Sequence, residues 1–543
     1  MSFHTEDRLA SWHIAIAVIA LAFGMTLGFF QGLEHAGMDI YPALKPFIQS
    51  YYQGLTLHGV LNVLVWTTFF ICGFLIYVTT RSLRTNLVGP KIAWLTLVLM
   101  IVGLVMAAVP ILTNSATVLF TFYPPMKADP FFYIGLTLVV IGTWLVTLNL
   151  TLTWRAWRAR NPVEKTPLAA FMSLVTMAMW SIASVGIAIE MLVIVIPMAV
   201  GLTEFSNPVL ARTLFWFTGH PIVYFWLLPA YISWYTMVPR QAGGKLFSDP
   251  MARVSFLLFL VLSTPLGLHH QVSDPGILPV FKAIHAVVTF GVFFPSLMTF
   301  FNVVASLENS GRHNGGKGLF GWIFRLPWKD PIVTGQILAM WLFVFGGIGG
   351  LINASYQLNQ AVHNTAWIAG HFHLTVGSAV TLTFMAVTYW LVPNLSGREL
   401  FSIGMARWQV WIWFIGMIVF SNNLHRLGLM DVPRRTALGS APYILPEWRI
   451  YLPWVALGGA LLFISGVLYI LNLAFTLWGS PRAAPIPMPM ARAISGPDHA
   501  PAIVDRWRPW LAVAAVLILV AYLPVFVQIL LTSASNAPGL RVW

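Results

Sequence analysis

The hexapeptide AGHFHL, residues 369–374, places His371 and His373 inside a long apolar segment that carries no charged residue. Imidazole is costly to bury in lipid without a partner, so histidines in such a segment indicate a buried site. At 3.6 residues per turn, positions i and i+2 point about 200° apart around a helix. A single helix is therefore predicted to serve two separate sites, one on each side.

The chain has the composition of a membrane protein. Of its 543 residues, 58% are hydrophobic and only 9% are charged, which is more apolar surface than the core of a soluble domain could bury. Apolar stretches of about 20 residues or more, the length that crosses a bilayer, recur along the whole chain. They predict an all-α, polytopic membrane protein that forms a single transmembrane domain over residues 1–543. Its thirteen predicted spans lie near residues 11–33, 51–80, 91–112, 129–154, 166–200, 209–240, 250–270, 278–308, 331–352, 364–393, 406–429, 449–478 and 508–533.

The net charge of +13 has two explanations, nucleic-acid binding and membrane topology. The basic residues occur singly or in pairs in the connections and form no stripe or aromatic-interleaved patch, which argues against nucleic acid. With a cytoplasmic N-terminus, most of the 30 Lys and Arg lie on the cytoplasmic side, as the positive-inside rule requires. The first apolar segment is expected to be retained as a span. The single cysteine, Cys72, excludes an intrachain disulfide and a thiolate metal cluster.

Six histidines are predicted to occupy one layer of the membrane. For a single intramembrane histidine, hydrogen bonding to a backbone carbonyl is the better explanation. For six at one depth a metal or heme cluster is better, because neutral imidazole is a common ligand of copper, iron and zinc. They lie on four spans at matched distances from the outer surface, given a rise of about 1.5 Å per residue: His58, His220, His269, His270, His371 and His373.

The histidines divide by spacing into two groups. His269 and His270 are adjacent and diverge by about 100° on a regular helix, so a bend or helix end is needed if both reach one ion with His220. Three imidazoles suit a copper ion that keeps an open position for a small ligand. The remaining three suit axial ligation of planar porphyrins, since none lies close to another on a helix face: His58, His371 and His373.

Hydroxyl groups continue from this layer toward the cytoplasm. Tyr224 lies four residues after His220, so the two side chains share a helical face and the hydroxyl is expected beside the copper. We interpret the further hydroxyls as a proton path from the cytoplasm. Without the histidines, a helix interface joined by hydroxyl hydrogen bonds would be the better interpretation. Two of them follow on the same span and two lie on the eighth: Tyr231, Tyr235, Ser296 and Thr299.

Several stretches together resemble subunit I of the heme-copper oxygen reductases, and in particular the B family, the ba-type cytochrome c oxidases. They are YYQGLTLHG at 51–59, WFTGHPIVYFW at 216–226 with the later pair at 269–270, GHFH at 370–373 and DVPRR at 431–435. The resemblance extends over nearly the whole chain and implies that subunit's fold, with one low-spin heme, one high-spin heme and one copper ion. The activity it implies is that of a terminal respiratory oxidase. O2 would be reduced to water at the high-spin heme and copper, coupled to proton uptake from the cytoplasm and to proton pumping.

The resemblance also implies a role for each site residue. Tyr224 would be joined covalently to His220 and would supply an electron and a proton when the O–O bond breaks. Arg434 and Arg435 would pair with heme propionates, a use to which the guanidinium fork is suited. The histidines would hold the metals: His58 and His373 the low-spin heme iron, His371 the high-spin heme iron, and His220, His269 and His270 the copper.

A few positions depart from the pattern of related oxidases. Ile222 stands where the A family has a glutamate, and the eighth span lacks that family's lysine, so the hydroxyl path is the only strong proton route. Asn359 stands where the pattern leads us to expect an acid near the high-spin heme propionates. A proton-handling role for Asn359, His363 or Asn364 is therefore left open. Glu190, in the fifth span, is an intramembrane acid without an assigned role.

The family likeness implies partners as well as cofactors. One cysteine cannot build the family's dinuclear copper site, so a subunit II carrying that site is expected, with cytochrome c or a similar protein as the electron donor. A small accessory subunit and a bacterial or archaeal cytoplasmic membrane complete the expected setting. Two rival functions remain. A nitric oxide reductase has iron in place of the copper and lacks the tyrosine, so Tyr224 argues against it; a transporter that uses histidines as proton relays would bind no heme.

Overall fold

The structure, a computed structural model, describes residues 3–543 and consists mainly of long apolar helices. Within these residues, twelve helices are long and apolar enough to cross a membrane. A further apolar segment, 208–236, is divided at His220 into helices of 12 and 16 residues, each too short to cross alone. The predicted all-α, polytopic architecture with about thirteen spans is confirmed.

The spans are numbered here in chain order. Short helices lie in the connections at Tyr41–Leu44, Val238–Gln241 and Tyr356–Val362. Two pairs of short strands join distant loops, Phe205–Ser206 antiparallel to Ala537–Pro538 and Leu246–Ser248 parallel to Ala493–Ser495. The spans are α1 (His4–His35), α2 (Tyr51–Leu83), α3 (Pro90–Leu112), α4 (Pro130–Arg160), α5 (Leu168–Ala199), α6 (Pro208–Gly219 continued by Pro221–Thr236), α7 (Asp249–Gln271), α8 (Pro279–His313), α9 (Pro331–Ala354), α10 (Ala366–Ser396), α11 (Ile403–Leu429), α12 (Trp448–Gly479) and α13 (Trp507–Thr532).

Polar caps followed by proline begin several spans. The side chains of Asp129, Asn207 and Asp330 each accept a hydrogen bond from a backbone N–H of the first turn, and proline follows each of them. Such caps satisfy N–H groups that have no partner inside the helix, and proline suits the first helical position because it lacks that N–H. Local sequence thus sets where α4, α6 and α9 begin.

Two spans change their winding at the histidine layer. α2 becomes a π-helix over Val60–Trp66, directly after His58, and α10 does so over His373–Val380. In α10 the Ser378 hydroxyl donates a 2.9 Å hydrogen bond to the carbonyl of His373, which satisfies that group within the widened turn. π-Helical turns inside α-helices are frequent at functional sites.

Two other spans are interrupted at the same layer. Regular helix in α7 ends at Ser263, and the pair at 269–270 lies in a separate 3-10 turn, Leu268–Gln271. This is the helix end that two adjacent histidines need if they are to face one point. α6 is interrupted at His220, where Pro221 begins its second half.

The span that carries His371 and His373 lies inside the bundle. In α10, 89% of the most apolar stretch is buried, against 28% in α13. α10 contacts α1, α6, α9, α11 and α12. Its two histidines therefore lie at the centre of the bundle, with a different set of helices on each side.

Close packing of α3 on α4 depends on glycine. A Cβ at Gly135 would lie 2.4 Å from the carbonyl oxygen of Gly103 and 2.6 Å from the backbone nitrogen of Ala107. Small residues at helix contacts let backbones approach closely, and in lipid this packing is a main source of helix association.

Substitution of Gly135 by alanine is expected to destabilise the protein, because the added methyl group meets backbone atoms that cannot rotate away. The expected loss is about 1–3 kcal/mol, measured as a lower melting temperature of the detergent-purified protein. Gly404→Ala is the matched control, since a Cβ at this helical glycine has its nearest contact at 3.7 Å. Equal melting temperatures for the two variants would contradict this account of the α3–α4 contact.

Candidate metal and active site

Three histidines from two spans converge at the centre of the bundle. His220 lies at the break in α6, and His269 and His270 lie in the 3-10 turn of α7. One ring nitrogen of each lies within 4.8 Å of those of the others. His220 Nδ1 and His270 Nε2 lie 3.0 Å apart. Three neutral imidazoles at this spacing can bind one transition-metal ion.

Tyr224 lies on the side of the His220 ring that faces away from the histidine cluster. While His220 Nδ1 faces the cluster, its Nε2 lies 3.2 Å from the Tyr224 hydroxyl oxygen. Both residues belong to the part of α6 at and after the break, which keeps them one turn apart on one face. His220 therefore joins the three-histidine cluster to a buried phenol.

Two residues of α8 that sequence analysis missed surround His269. Thr289 Oγ1 lies 3.0 Å from His269 Nδ1 and donates a 2.6 Å hydrogen bond to the carbonyl of His285. His285 is fully buried, and its Nε2 lies 3.1 Å from the carbonyl oxygen of Ala521 in α13. A histidine and a threonine four residues apart in an apolar span share one face, and this is the sequence signal that could have found them.

Trp216 and Asn359 also contact the 3-10 turn that carries His269 and His270. The indole ring of Trp216 stacks on the His270 ring at a centroid distance of 3.9 Å and an angle of 6°. Asn359 donates from its amide to the carbonyl of His269 at 3.2 Å, and its amide oxygen lies 3.0 Å from His363 Nδ1. Burial, reinforced by the nearby Arg434, lowers the pKa of His363 to about 4, so this imidazole is neutral at pH 7.

A second pair of histidines faces each other between α2 and α10. The rings of His58 and His373 are 6.3 Å apart between centroids, with planes 13° apart. The Nδ1 atoms lie 2.8 Å and 2.7 Å from the carbonyl oxygens of Gly24 and Ala369 respectively. Carbonyls only accept hydrogen bonds, so both Nδ1 atoms carry a proton and both Nε2 atoms are free to bind metal. The separation suits an ion held between two metal–nitrogen bonds of about 2 Å.

His371 faces the opposite side of α10 from His373. It lines a cavity of about 720 Å³ together with the three-histidine cluster and Tyr224. α9 supplies glycine where this ring approaches, since a Cβ at Gly349 would lie 2.7 Å from His371 Nδ1. The volume and the largely apolar lining are typical of a cofactor pocket. His371 and the cluster thus border one space, and a heme ligated by His371 fits the donor set and the shape of that space.

The predicted hydroxyl path is only partly continuous by direct hydrogen bonds. The Tyr235 hydroxyl donates to Thr299 Oγ1 at 2.8 Å, and Thr299 Oγ1 lies 3.0 Å from the hydroxyl oxygen of Ser255 in α7. Tyr231 and Ser296 lie side by side on the wall of the large cavity. Sequence analysis missed Ser255, because the sequence does not show which face of α7 meets Thr299 on α8.

Arg434 and Arg435 lie in the connection between α11 and α12. Neither forms an ion pair with a carboxylate in residues 3–543. Burial, reinforced by the adjacent Arg434, lowers the pKa of Arg435 to about 9. Two neighbouring, half-buried cations without a carboxylate suit an anionic group supplied by a ligand.

Glu190 does not join this site. It is fully buried at the end of the regular part of α5, directly before a π-helical stretch, Met191–Val195. Neither carboxylate oxygen has a hydrogen-bond partner within residues 3–543. No other contact in the described residues assigns it a role.

Comparisons with known proteins identify the group to which this arrangement is similar. The family model described as "Cytochrome C and Quinol oxidase polypeptide I" matches residues 8–461. Cytochrome c oxidase subunit 1 of Thermus thermophilus is 46% identical over 99% of this chain and 98% of its own length. Alternative cytochrome c oxidase subunit 1 of Bradyrhizobium diazoefficiens is 26% identical over 81% of this chain and 77% of its own length. A cryo-EM structure of a heme-copper terminal oxidase dimer superposes with a TM-score of 0.95 at 38% identity, covering 100% of this chain and 96% of that one.

Proposed function

Because the chain belongs to the cytochrome c and quinol oxidase polypeptide I family, we propose that it is the oxygen-reducing subunit of a terminal respiratory cytochrome c oxidase. The likeness to the Thermus subunit supports the B-family assignment. One observation carries the proposal beyond the family. A buried tyrosine, Tyr224, touches a member of a three-histidine cluster, His220, and the cluster shares a cavity with His371.

The chain is the type of subunit that carries two hemes and one copper ion, and we assign the ligands from the geometry. His220, His269 and His270 would hold the copper. His371 would hold the high-spin heme in the large cavity that it lines. His58 and His373 would hold the low-spin heme through their Nε2 atoms. When bound, the high-spin heme and the copper supply electrons and the open positions at which O2 is reduced to water.

Spacing along α10 explains how electrons reach this site. Since His371 and His373 are two residues apart and face opposite sides, α10 would place the two heme sites next to each other. With both His58 and His373 as ligands, the low-spin heme would serve electron transfer and leave O2 to the site of His371. α10 would thus keep the two tasks separate while holding the two sites side by side.

Tyr224 supplies a proton, and an electron, at its phenol oxygen. Its hydroxyl oxygen lies 3.2 Å from His220 Nε2, which supports the predicted covalent link between the two side chains. Tyr231, Ser296, Tyr235 and Thr299 lie between Tyr224 and the cytoplasm. They provide positioned hydroxyls along which water molecules can return protons to the phenol.

A second cavity offers a route for the substrate. It has a volume of about 110 Å³, is almost entirely apolar, and reaches Gly219 and Ile222 on either side of His220 in the sequence. O2 is itself apolar, so we infer that it approaches the copper through this space rather than along the hydroxyls. Protons and O2 would then reach the site from different directions.

Partners and orientation follow from charge and cysteine content. As a subunit 1, the chain works with other subunits. The proposed partners are a subunit II that carries a dinuclear copper site, a cytochrome c that donates electrons, and a small accessory subunit.

Arg434 and Arg435 are positioned to pair with heme propionates, which would neutralise both cations. A cytoplasmic N-terminus in a bacterial or archaeal cytoplasmic membrane places the basic connections inside. The single transmembrane domain would pump protons outward.

Tyr224→Phe tests the assignment of the phenol. The variant is expected to keep the optical spectra of both hemes and to lose O2 reduction by about 10²-fold or more, because the proton donor is removed while the ligands remain. Tyr389→Phe is the control, since the Tyr389 hydroxyl is buried but bonds only to Gln409. Turnover by Tyr224→Phe equal to that of the control would overturn the role of Tyr224.

Thr299→Val tests the hydroxyl path. Removal of the hydroxyl that joins Tyr235 to Ser255 is expected to slow turnover by about 10-fold or more, with a matching loss in proton uptake from the cytoplasmic side. Thr137→Val is the control, because its hydroxyl bonds only to the Tyr133 carbonyl in α4. Proton uptake at the wild-type rate in Thr299→Val would rule out this route.

A further inference from the structure

An outer layer of polar groups lies behind the copper ligand His269, in α8 and α13. Thr289 touches His269 Nδ1 at 3.0 Å, and its hydroxyl reaches the carbonyl oxygen of His285 at 2.6 Å. His285 in turn lies with Nε2 3.1 Å from the carbonyl oxygen of Ala521 in α13. This chain of contacts links the last span of the protein to the metal cluster.

The direction of each hydrogen bond between His269, Thr289 and His285 follows from which groups can donate a proton and which can only accept one. A carbonyl only accepts, so the single hydroxyl proton of Thr289 is donated to the carbonyl of His285. Thr289 Oγ1 can then only accept from His269, which places a proton on His269 Nδ1. The other ring nitrogen of His269, Nε2, is left without a proton and is the atom that can bind metal.

The His285 ring is fixed by the same reasoning. Its Nε2 faces the carbonyl of Ala521 and must carry the proton, which leaves Nδ1 as an acceptor. The backbone N–H of Leu268, the residue before His269, points at that atom at a long 3.5 Å. The His285 ring thus contacts the 3-10 turn at Leu268, while the acceptor of the Thr289 hydroxyl is the backbone carbonyl of residue 285.

α13 contributes packing as well as an acceptor. The Tyr522 ring lies 4.7 Å from the His285 ring at 78°, and a Cβ at Gly267 would lie 2.4 Å from the Tyr522 hydroxyl oxygen. The turn that carries the copper histidines therefore rests directly on α13. The family model matches residues 8–461, so α13 (Trp507–Thr532) lies outside the matched stretch.

We propose that Thr289 and His285 are positioning residues for the copper, and that α13 supports them. Thr289 holds His269 in the form whose Nε2 binds the metal, and the His285 ring, held by the Ala521 carbonyl, accepts from the Leu268 N–H and so supports the turn that carries His269. The inference rests on the proposed copper site. Loss of a partner that orients a metal-bound histidine typically weakens metal binding by about 10–100-fold.

The test compares the copper-to-iron ratio of purified holoenzyme for the wild type and for Thr289→Val, Thr289→Ser and His285→Phe during challenge with a copper chelator. Valine keeps the shape of threonine without its hydroxyl, and serine restores the hydroxyl. Thr96→Val is the matched control, because Thr96 is buried and its hydroxyl bonds only to the Ile92 carbonyl in α3.

Thr289→Val is expected to release one copper per two irons at chelator concentrations about 10–100-fold lower than the wild type requires. Its heme spectra should be unchanged, Thr289→Ser should retain copper like the wild type, and His285→Phe should resemble Thr289→Val. Equal retention by Thr289→Val, Thr96→Val and the wild type would overturn the inference, as would failure of serine to rescue. A wild-type protein with iron but no copper in this subunit would instead overturn the proposed function.

Discussion

The structure depends on which ring nitrogen each buried histidine directs to a protein group and which it leaves for a metal. His58 and His373 give Nδ1 to a backbone carbonyl, His269 gives Nδ1 to Thr289, and His220 directs Nε2 to Tyr224. In these four of the six histidines, one nitrogen is committed to the protein and the other is left to face a site. Because an uncommitted imidazole is costly in an apolar interior, this arrangement satisfies burial and prepares the ligands together.

The departures from regular helix follow from the same requirement. A straight helix cannot direct two adjacent histidines to one point, and the 3-10 turn of α7 allows this. The π-helical stretches that follow His58 and begin at His373 give the carbonyls near those residues different partners from those of a regular helix. α10 packs against helices on both sides, as its two histidines require.

Sequence patterns predicted much of this arrangement, for physical reasons that can be named. Apolar length predicts the spans, and the divergence of adjacent residues on a helix predicts the break at 269–270. What could not be predicted is which face of each span meets which neighbour. Consecutive spans are expected to pack together, but the sequence does not show that Thr289 and Ser255 lie on the faces where α8 meets α7. His285 depends on a contact with α13, 236 residues further along the chain, and hydrophobicity carries no information on such a pairing in a protein whose spans are all apolar.

The central claim is that three histidines hold copper beside one heme while two others hold a second heme. Iron and copper analysis of the purified enzyme, combined with its reduced-minus-oxidised optical spectrum, tests this most directly. The account predicts two irons and one copper in this subunit, once the copper of a subunit II is subtracted, with one low-spin and one high-spin heme in the spectrum. Three irons without copper, or a colourless protein without heme, would contradict it.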